Sequence, residues 1–119
     1  MYGFFKRNNV YQITLITETY NIILGVTFDD RNRTNNDIEV LEMNYYETEM
    51  DKSKIRTSKK IVLDQVRLGL DEINADLKTE YKLAKIYFSP FDESSDSIYS
   101  LLICILIKHY HNGKTFYNI

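Results

Sequence analysis

Two neighbouring segments with the same alternation of apolar and polar side chains constrain the fold of this chain most strongly. Residues 10–17 and residues 20–28 both follow the period of a half-buried β-strand. A two-residue connection at positions 18 and 19 aligns them as an antiparallel hairpin. Because directly opposed residues share one sheet face, this register gathers both apolar sets on the core side. The predicted pairs are Thr17 with Tyr20, Leu15 with Ile22, Ile13 with Leu24, and Tyr11 with Val26.

One amphipathic helix is predicted over residues 58–80. Apolar side chains recur there every three or four residues, which places them in one buried stripe along the helix. Ser58 precedes the first helical turn and is a suitable N-cap residue. The members of the stripe are Val62, Val66, Leu70, Ile73 and Leu77.

Further strands are predicted on both sides of this helix. Residues 38–46 form a third strand whose alternation slips at Val40 and Leu41, as a β-bulge or a twist would cause. Residues 82–89 form a strand that ends at Pro90. Polar stretches before and after the third strand are typical of loops.

Residues 97–111 have two interpretations, a long central strand or a buried helix that ends just before Gly113. Isoleucine is abundant there, and Asn112-Gly113 is a strong hairpin signal, so we favour the strand, with residues 114–119 returning antiparallel. The predicted fold class is therefore α+β, with an antiparallel sheet in β-β-β-α-β-β-β order and one long helix on a face. With 119 residues, of which 44% are hydrophobic, residues 1–119 fit a single domain.

Composition limits the environment of the protein. Cys104 is the single cysteine and lies in an apolar run, so we expect a buried, inert thiol and a reducing compartment. The longest apolar stretch, residues 98–107, is about half of what a transmembrane helix needs. No signal segment is evident at the first residues. We therefore expect a cytoplasmic protein with no membrane contact, no metal and no cofactor.

The two histidines, His109 and His111, supply the strongest catalytic alternative. On a strand their side chains would share one side and could hold a metal ion. In a hairpin turning at Asn112-Gly113, they would join Lys114 as the base, acid and cation of a metal-independent ribonuclease. A net charge of −2 and a pI near 5.7 disfavour an enzyme that must hold a polyanion, so we expect no enzymatic activity.

The charges are segregated along the chain. Residues 35–51 contain six acidic side chains and no base, whereas residues 52–60 contain five bases and no acid. The basic stretch could bind nucleic acid at the helix start, an alternative we consider unlikely for a chain with this overall charge. The acidic stretch, if it is more than solvated loop, would dock a basic protein and use tyrosine as an anchor.

In size, composition and charge the chain resembles the small immunity proteins of bacterial polymorphic toxin systems, such as contact-dependent growth inhibition. The resemblance is carried by the acidic residues 37–51, the pair Tyr45-Tyr46 and the acidic residues 92–96. It implies a non-enzymatic inhibitor that binds and neutralises a cognate toxin domain, commonly a basic nuclease. The expected partner-binding residues are Glu39, Glu42, Tyr45, Glu47, Glu49, Asp51, Asp92, Glu93 and Asp96.

Overall fold

Six strands and two helices form an α+β fold with a mixed sheet. The structure is a computed structural model that describes residues 1–18, 21–29, 37–43, 57–90, 92 and 97–119. The sheet has the strand order β4-β5-β3-β2-β1-β6. The predicted fold class is confirmed, but a purely antiparallel sheet is not. In chain order the elements are β1 (Tyr2–Arg7), β2 (Val10–Ile16), β3 (Asn21–Phe28), β4 (Glu39–Glu42), α1 (Lys59–Leu77), β5 (Leu83–Phe88), α2 (Ile98–His111) and β6 (Tyr117–Asn118).

The β2-β3 hairpin has the predicted register. Its strands pair antiparallel, and the predicted pairs Leu15–Ile22, Ile13–Leu24 and Tyr11–Val26 are all present. The predicted pair of Thr17 with position 20 lies outside the described residues. Strand β1, which sequence analysis missed, extends the hairpin by pairing antiparallel with β2.

Two parallel pairings make the sheet mixed. Strand β4 runs parallel to β5, because α1 carries the chain back to the end of the sheet where β4 began. Strand β6 runs parallel to β1 rather than returning antiparallel to the preceding segment. Of the two explanations for the slip at Val40 and Leu41, the bulge is absent, since β4 pairs regularly with β5 there. The register shift lies instead between Thr27 and Phe28 of β3, and the predicted extension of β4 to residue 46 is outside the described residues.

Helix α1 confirms the predicted stripe. Val62, Val66, Leu70 and Ile73 are buried, and Leu77 is half-buried against the same core. Ser58 is the N-cap, and its hydroxyl accepts a hydrogen bond from the backbone N–H of Ile61 at 3.4 Å. The helix ends at residue 77, earlier than predicted.

The strand predicted at residues 97–111 is wrong, because this segment is helix α2. One side of α2 packs on α1 and another on β2 and β3, so the helix buries most of its circumference. A helix covered on two sides needs apolar residues nearly all round and shows little period of its own. Asn112 and Gly113 end the helix rather than turning a hairpin. Gly113 has φ +67°, its N–H donates to Tyr110 and the next N–H donates to His109, which is a Schellman motif.

The two helices run in the same direction and pack closely. Near their starts, the backbone N–H of Tyr99 donates to the side-chain oxygen of Gln65 at 3.0 Å. Further along, the Cys104 thiol donates to the carbonyl oxygen of Gly69 at 3.2 Å. Cys104 is half-buried, and burial together with the acidic Glu72 raises the pKa of its thiol. Neither helix in the described part of the chain has the length and apolar character needed to cross a membrane.

Candidate functional site

The carboxyl end of β5 anchors both acidic segments of the sequence. The backbone N–H of Met43 donates to the carbonyl oxygen of Phe88 at 2.7 Å. The backbone N–H of Asp92 donates to the next carbonyl oxygen, that of Ser89, at 3.1 Å. The chain leaves Met43 toward acidic residues 47, 49 and 51, and it leaves Asp92 toward acidic residues 93 and 96. Both acidic segments therefore start from the same end of the sheet.

Thr57, which follows the first acidic segment in the sequence, is bound at the same end of the sheet. The backbone N–H of Thr57 donates to the carbonyl oxygen of Pro90 at 3.2 Å. Helix α1 begins directly after Thr57, and α2 begins at residue 98 close to Gln65 of α1. We refer to the anchoring residues together as the β5 end. They are Met43, Thr57, Phe88, Ser89, Pro90 and Asp92.

Helix polarity favours negative charge at the β5 end. Both helices begin near it and run away from it, so their N-terminal ends point to this side of the molecule. The free N–H groups of a helix N-terminus carry a partial positive charge that stabilises nearby carboxylates. The fold thus places its positive helix ends on the side of the molecule that holds Glu42 and Asp92, and the exposed Lys59 and Lys60 that open α1 stand at the same end.

Asp92 is held within the β5 end rather than projecting freely. Its carboxylate accepts a hydrogen bond from the backbone N–H of Ile23, the third residue of β3, at 2.8 Å. The carboxyl is half-buried, and burial raises the pKa of Asp92 to about 6, although the Ile23 hydrogen bond acts in the opposite direction. Burial destabilises the charged form of this carboxyl, and a cationic group of a partner placed beside it would stabilise that form.

Two buried hydroxyls of the described residues lack hydrogen-bond partners, and one of them, that of Tyr99, lies near Asp92. Among the described residues, the Tyr99 hydroxyl and the Thr57 hydroxyl are buried side-chain oxygens without a partner. Burial, together with the nearby charge of Asp92, raises the pKa of Tyr99. Leaving a buried polar group unpaired costs about 1–3 kcal/mol. Unpaired buried groups that lower stability in this way are typical of functional sites.

The predicted partner-binding residues are distributed unevenly around this end. Glu42 is exposed at the last position of β4, next to Met43, and is paired in register with Phe88. Glu39 lies at the opposite end of β4, where its carboxylate is 4.0 Å from the ammonium of Lys85. The structure therefore brings Glu42 and Asp92 to one end of the sheet and leaves Glu39 at the other. Outside the described residues lie Tyr45, Glu47, Glu49, Asp51, Glu93 and Asp96.

The histidine arrangements predicted from the sequence are wrong. On a helix, each residue is rotated by about 100° around the axis from the one before, so side chains two positions apart point to nearly opposite sides. His109 and His111 therefore cannot share one side. The His109 ring stacks on Phe4 with centroids 3.6 Å apart, and its Nε2 donates to the carbonyl oxygen of Thr115 at 2.7 Å. His111 Nδ1 is 2.8 Å from the Tyr81 hydroxyl. The metal pair and the ribonuclease hairpin with Lys114 both depended on a strand that is absent here.

Of the basic stretch 52–60, only the last residues can be placed. Lys59 and Lys60 open α1 and are exposed, whereas residues 52–56 lie outside the described residues. The N-terminal end of the helix dipole is positive, so the dipole does not stabilise the positive side chains of Lys59 and Lys60 in the first turn.

Sequence analysis missed a continuous cluster of aromatic rings at the other end of the helices. Each ring touches at least one other member, with centroids between 3.6 and 5.9 Å apart. The only signal in the sequence was the number of tyrosines and phenylalanines, ten and six, which we had assigned to strands. The members are Phe4, Tyr11, Phe28, Tyr81, His109, Tyr110, His111 and Phe116.

A concavity with a volume of about 480 Å³ lies between α1 and the start of β5. Its charged walls mix Arg67 and Lys82 with Asp71 and Glu80, so it favours neither sign of ligand charge. Within the described residues, no group of three or more histidine, cysteine or acidic side chains is placed to hold a metal ion. Comparisons with protein-family models, curated proteins and solved structures gave no significant match.

Proposed function

We propose that this protein is a non-enzymatic inhibitor, an immunity protein that binds and neutralises a cognate bacterial toxin domain in the cytoplasm of the producing cell. The partner is a basic protein domain, most economically a nuclease, and the docking surface is centred on the β5 end. The observation that carries the proposal is the anchoring of both acidic segments on adjacent carbonyl groups, those of Phe88 and Ser89.

Charge is the main support for this assignment. Residues 35–51 hold six acidic side chains without a base, and Asp92 begins a second acidic run. Opposite charges on two proteins accelerate their association and suppress binding to wrong partners. A nuclease domain presents a positive surface because it must hold a polyanion, so an acidic surface is its natural complement.

The state of Asp92 adds to the argument. A carboxylate with a pKa raised by burial is a poor arrangement for the isolated protein, and the unpaired Tyr99 hydroxyl near it adds to that cost. A lysine or arginine from a partner that reaches this end would stabilise the charged form of Asp92. Binding of such a group would therefore offset part of the free-energy cost of burying the Asp92 carboxylate.

The test is charge reversal within the first acidic segment. The chain is co-expressed with the toxin domain encoded by its neighbouring reading frame, and association is followed by stopped flow at low and high salt. We expect Glu47→Lys with Glu49→Lys to slow association by about tenfold at low ionic strength and to have much less effect at about 0.5 M salt.

Asp76→Lys with Glu80→Lys provides the matched control, because it changes the net charge by the same amount. Both residues are exposed at the end of α1 opposite to the β5 end, so reversal there does not touch the proposed surface. Equal slowing by this control would show that the effect comes from overall charge. Unchanged association of the Glu47 and Glu49 double variant would remove the acidic segment from the interface.

A further inference from the structure

Two terminal segments of the described chain meet at one corner of the molecule. In residues 1–17 and 97–119 the charged side chains are Lys6, Arg7, Lys108 and Lys114, all of them basic. Strand β6 pairs with β1, and His109 of α2 stacks on Phe4, so these segments lie together. The net charge of −2 for the whole chain therefore conceals a locally cationic surface.

Aromatic rings line a first cleft in this corner, with a volume of about 360 Å³. The Lys6 ammonium lies over the Tyr11 ring, 4.9 Å from its centroid. Tyr110 and Phe116 each meet Tyr11 edge to face at 5.0 Å. Lys114 completes the wall, so the cleft presents rings between two ammonium groups.

A second cleft of about 290 Å³ adjoins the first and shares Lys114 with it. Its walls include Lys108 and the stacked pair of Phe4 and His109, whose ring planes are within 3° of parallel. Phe116 touches both Phe4 and Tyr11, which makes the aromatic surface continuous between the clefts. The two clefts thus form one track with a cation at its midpoint.

The cations of this track are available to a ligand. Within the part of the chain that the structure describes, Lys6, Lys108 and Lys114 take part in no ion pair, and Lys108 and Lys114 are exposed. Unpaired ammonium groups spaced along aromatic surface match a polymer that alternates phosphates with flat rings.

We propose that this track binds single-stranded nucleic acid. Bases stack on the rings of the two clefts, and the phosphates between them contact Lys6, Lys114 and Lys108. A single strand fits better than a duplex, because stacking on protein rings requires unpaired bases. An acidic peptide would satisfy the cations but would leave the aromatic surface unused. This binding is separate from the proposed toxin contact, which lies at the opposite end of the helices.

Fluorescence anisotropy with a labelled oligouridine and a labelled oligothymidine tests the proposal on the full chain. We expect binding by the wild type and loss of about tenfold in affinity, at low salt, for Lys6→Gln with Lys114→Gln. The dependence of affinity on salt should also fall, by a slope of about 1.4 for two lost phosphate contacts on a single strand. Phe116→Leu, which keeps an apolar side chain but removes a stacking ring, should weaken binding with little change in that slope.

Lys59→Gln with Lys60→Gln is the matched control, since it also removes two positive charges and both residues are exposed at the start of α1, away from the track. Equal weakening by this control, or unchanged affinity in the Lys6 and Lys114 double variant, would overturn the proposal. So would the absence of wild-type binding to either oligonucleotide. Uridine monophosphate should compete only weakly; if it binds as tightly as the oligouridine, the track does not bind a strand.

Discussion

Gly69 of α1 lies directly against Ser100 of α2. A Cβ atom built on Gly69 would be 2.5 Å from the Ser100 carbonyl oxygen and 2.5 Å from a methyl group of Ile103. The backbone of Ser100 cannot move aside as a flexible side chain would, so the two helices approach at a distance that only glycine permits. The Cys104 thiol donates to the carbonyl of the same glycine.

Gly69→Ala should therefore be strongly destabilising even though alanine is the better helix former. We expect the free energy of unfolding to fall by about 3 kcal/mol, at the upper end of overpacking effects. Urea denaturation followed by circular dichroism measures the change. Leu68→Ala, at an adjacent position where the side chain is 58% exposed, should change stability by less than about 1 kcal/mol. A Gly69→Ala protein as stable as the wild type would contradict the close approach.

Asn74 should be essential to the turn after α1. Its side-chain oxygen accepts hydrogen bonds from the Thr79 hydroxyl and the Tyr81 backbone N–H, each at 2.9 Å, and its amide donates to the Tyr81 carbonyl at 3.0 Å. Asn74→Ala should lower the free energy of unfolding by about 2 kcal/mol, because it leaves partly buried backbone groups unpaired. Asn74→Asp keeps the acceptor oxygen and loses only the donor, so urea denaturation should find it intermediate.

Lys78 should be a position where glycine improves stability. It ends α1 in the left-handed region with φ 55°, a conformation that is unfavourable for a residue with a side chain. Lys78→Gly should raise the free energy of unfolding by about 0.5–1 kcal/mol. Glu72→Gly, at an exposed position in the interior of the helix, should lower it by a similar amount. Thermal denaturation of both variants checks the opposite signs, and a loss of stability in both would contradict the left-handed end.

The elements that sequence analysis predicted correctly are those with one apolar face. The β2-β3 register followed from alternation alone, and the α1 stripe followed from spacings of three and four residues, because each element carries its large apolar side chains mainly on one face. Helix α2 lacks such a period, since α1 and the sheet cover it together. The abundance of isoleucine in this segment therefore favoured a strand in the sequence analysis. Gly113 was misleading for a physical reason: a hairpin turn and a helix end both use glycine at positive φ.

The candidate site could be predicted only in part. The acidic composition was visible along the chain, but the anchoring of the first acidic segment on Phe88 depends on the parallel pairing of β4 with β5, which no local pattern encodes. The aromatic track was missed because its rings come from segments that meet only after β6 pairs with β1. Local periodicity predicts which face of an element is buried, and it does not predict which distant segments share an edge.

The pH dependence of stability should reveal the environment of Asp92. Burial raises the pKa of this carboxyl to about 6 in the folded protein, whereas an unfolded aspartate has a pKa near 3.9. Between these values the folded state binds more protons than the unfolded state, so the contribution of Asp92 to stability decreases as pH rises and is least favourable above about pH 6.

Asp92→Asn isolates this contribution, because the amide oxygen can still accept the hydrogen bond from the Ile23 N–H while the charge is removed. At about pH 7.5 the variant should be more stable than the wild type by about 1 kcal/mol, a value reduced for the partial solvent exposure of the carboxyl. The advantage should shrink as the pH falls to about 4.5, which urea denaturation at several pH values would follow. Asp64→Asn, on the exposed face of α1, should show no such trend. A difference between Asp92→Asn and wild type that stays constant with pH would mean that the carboxyl is as well solvated in the folded protein as in the unfolded chain.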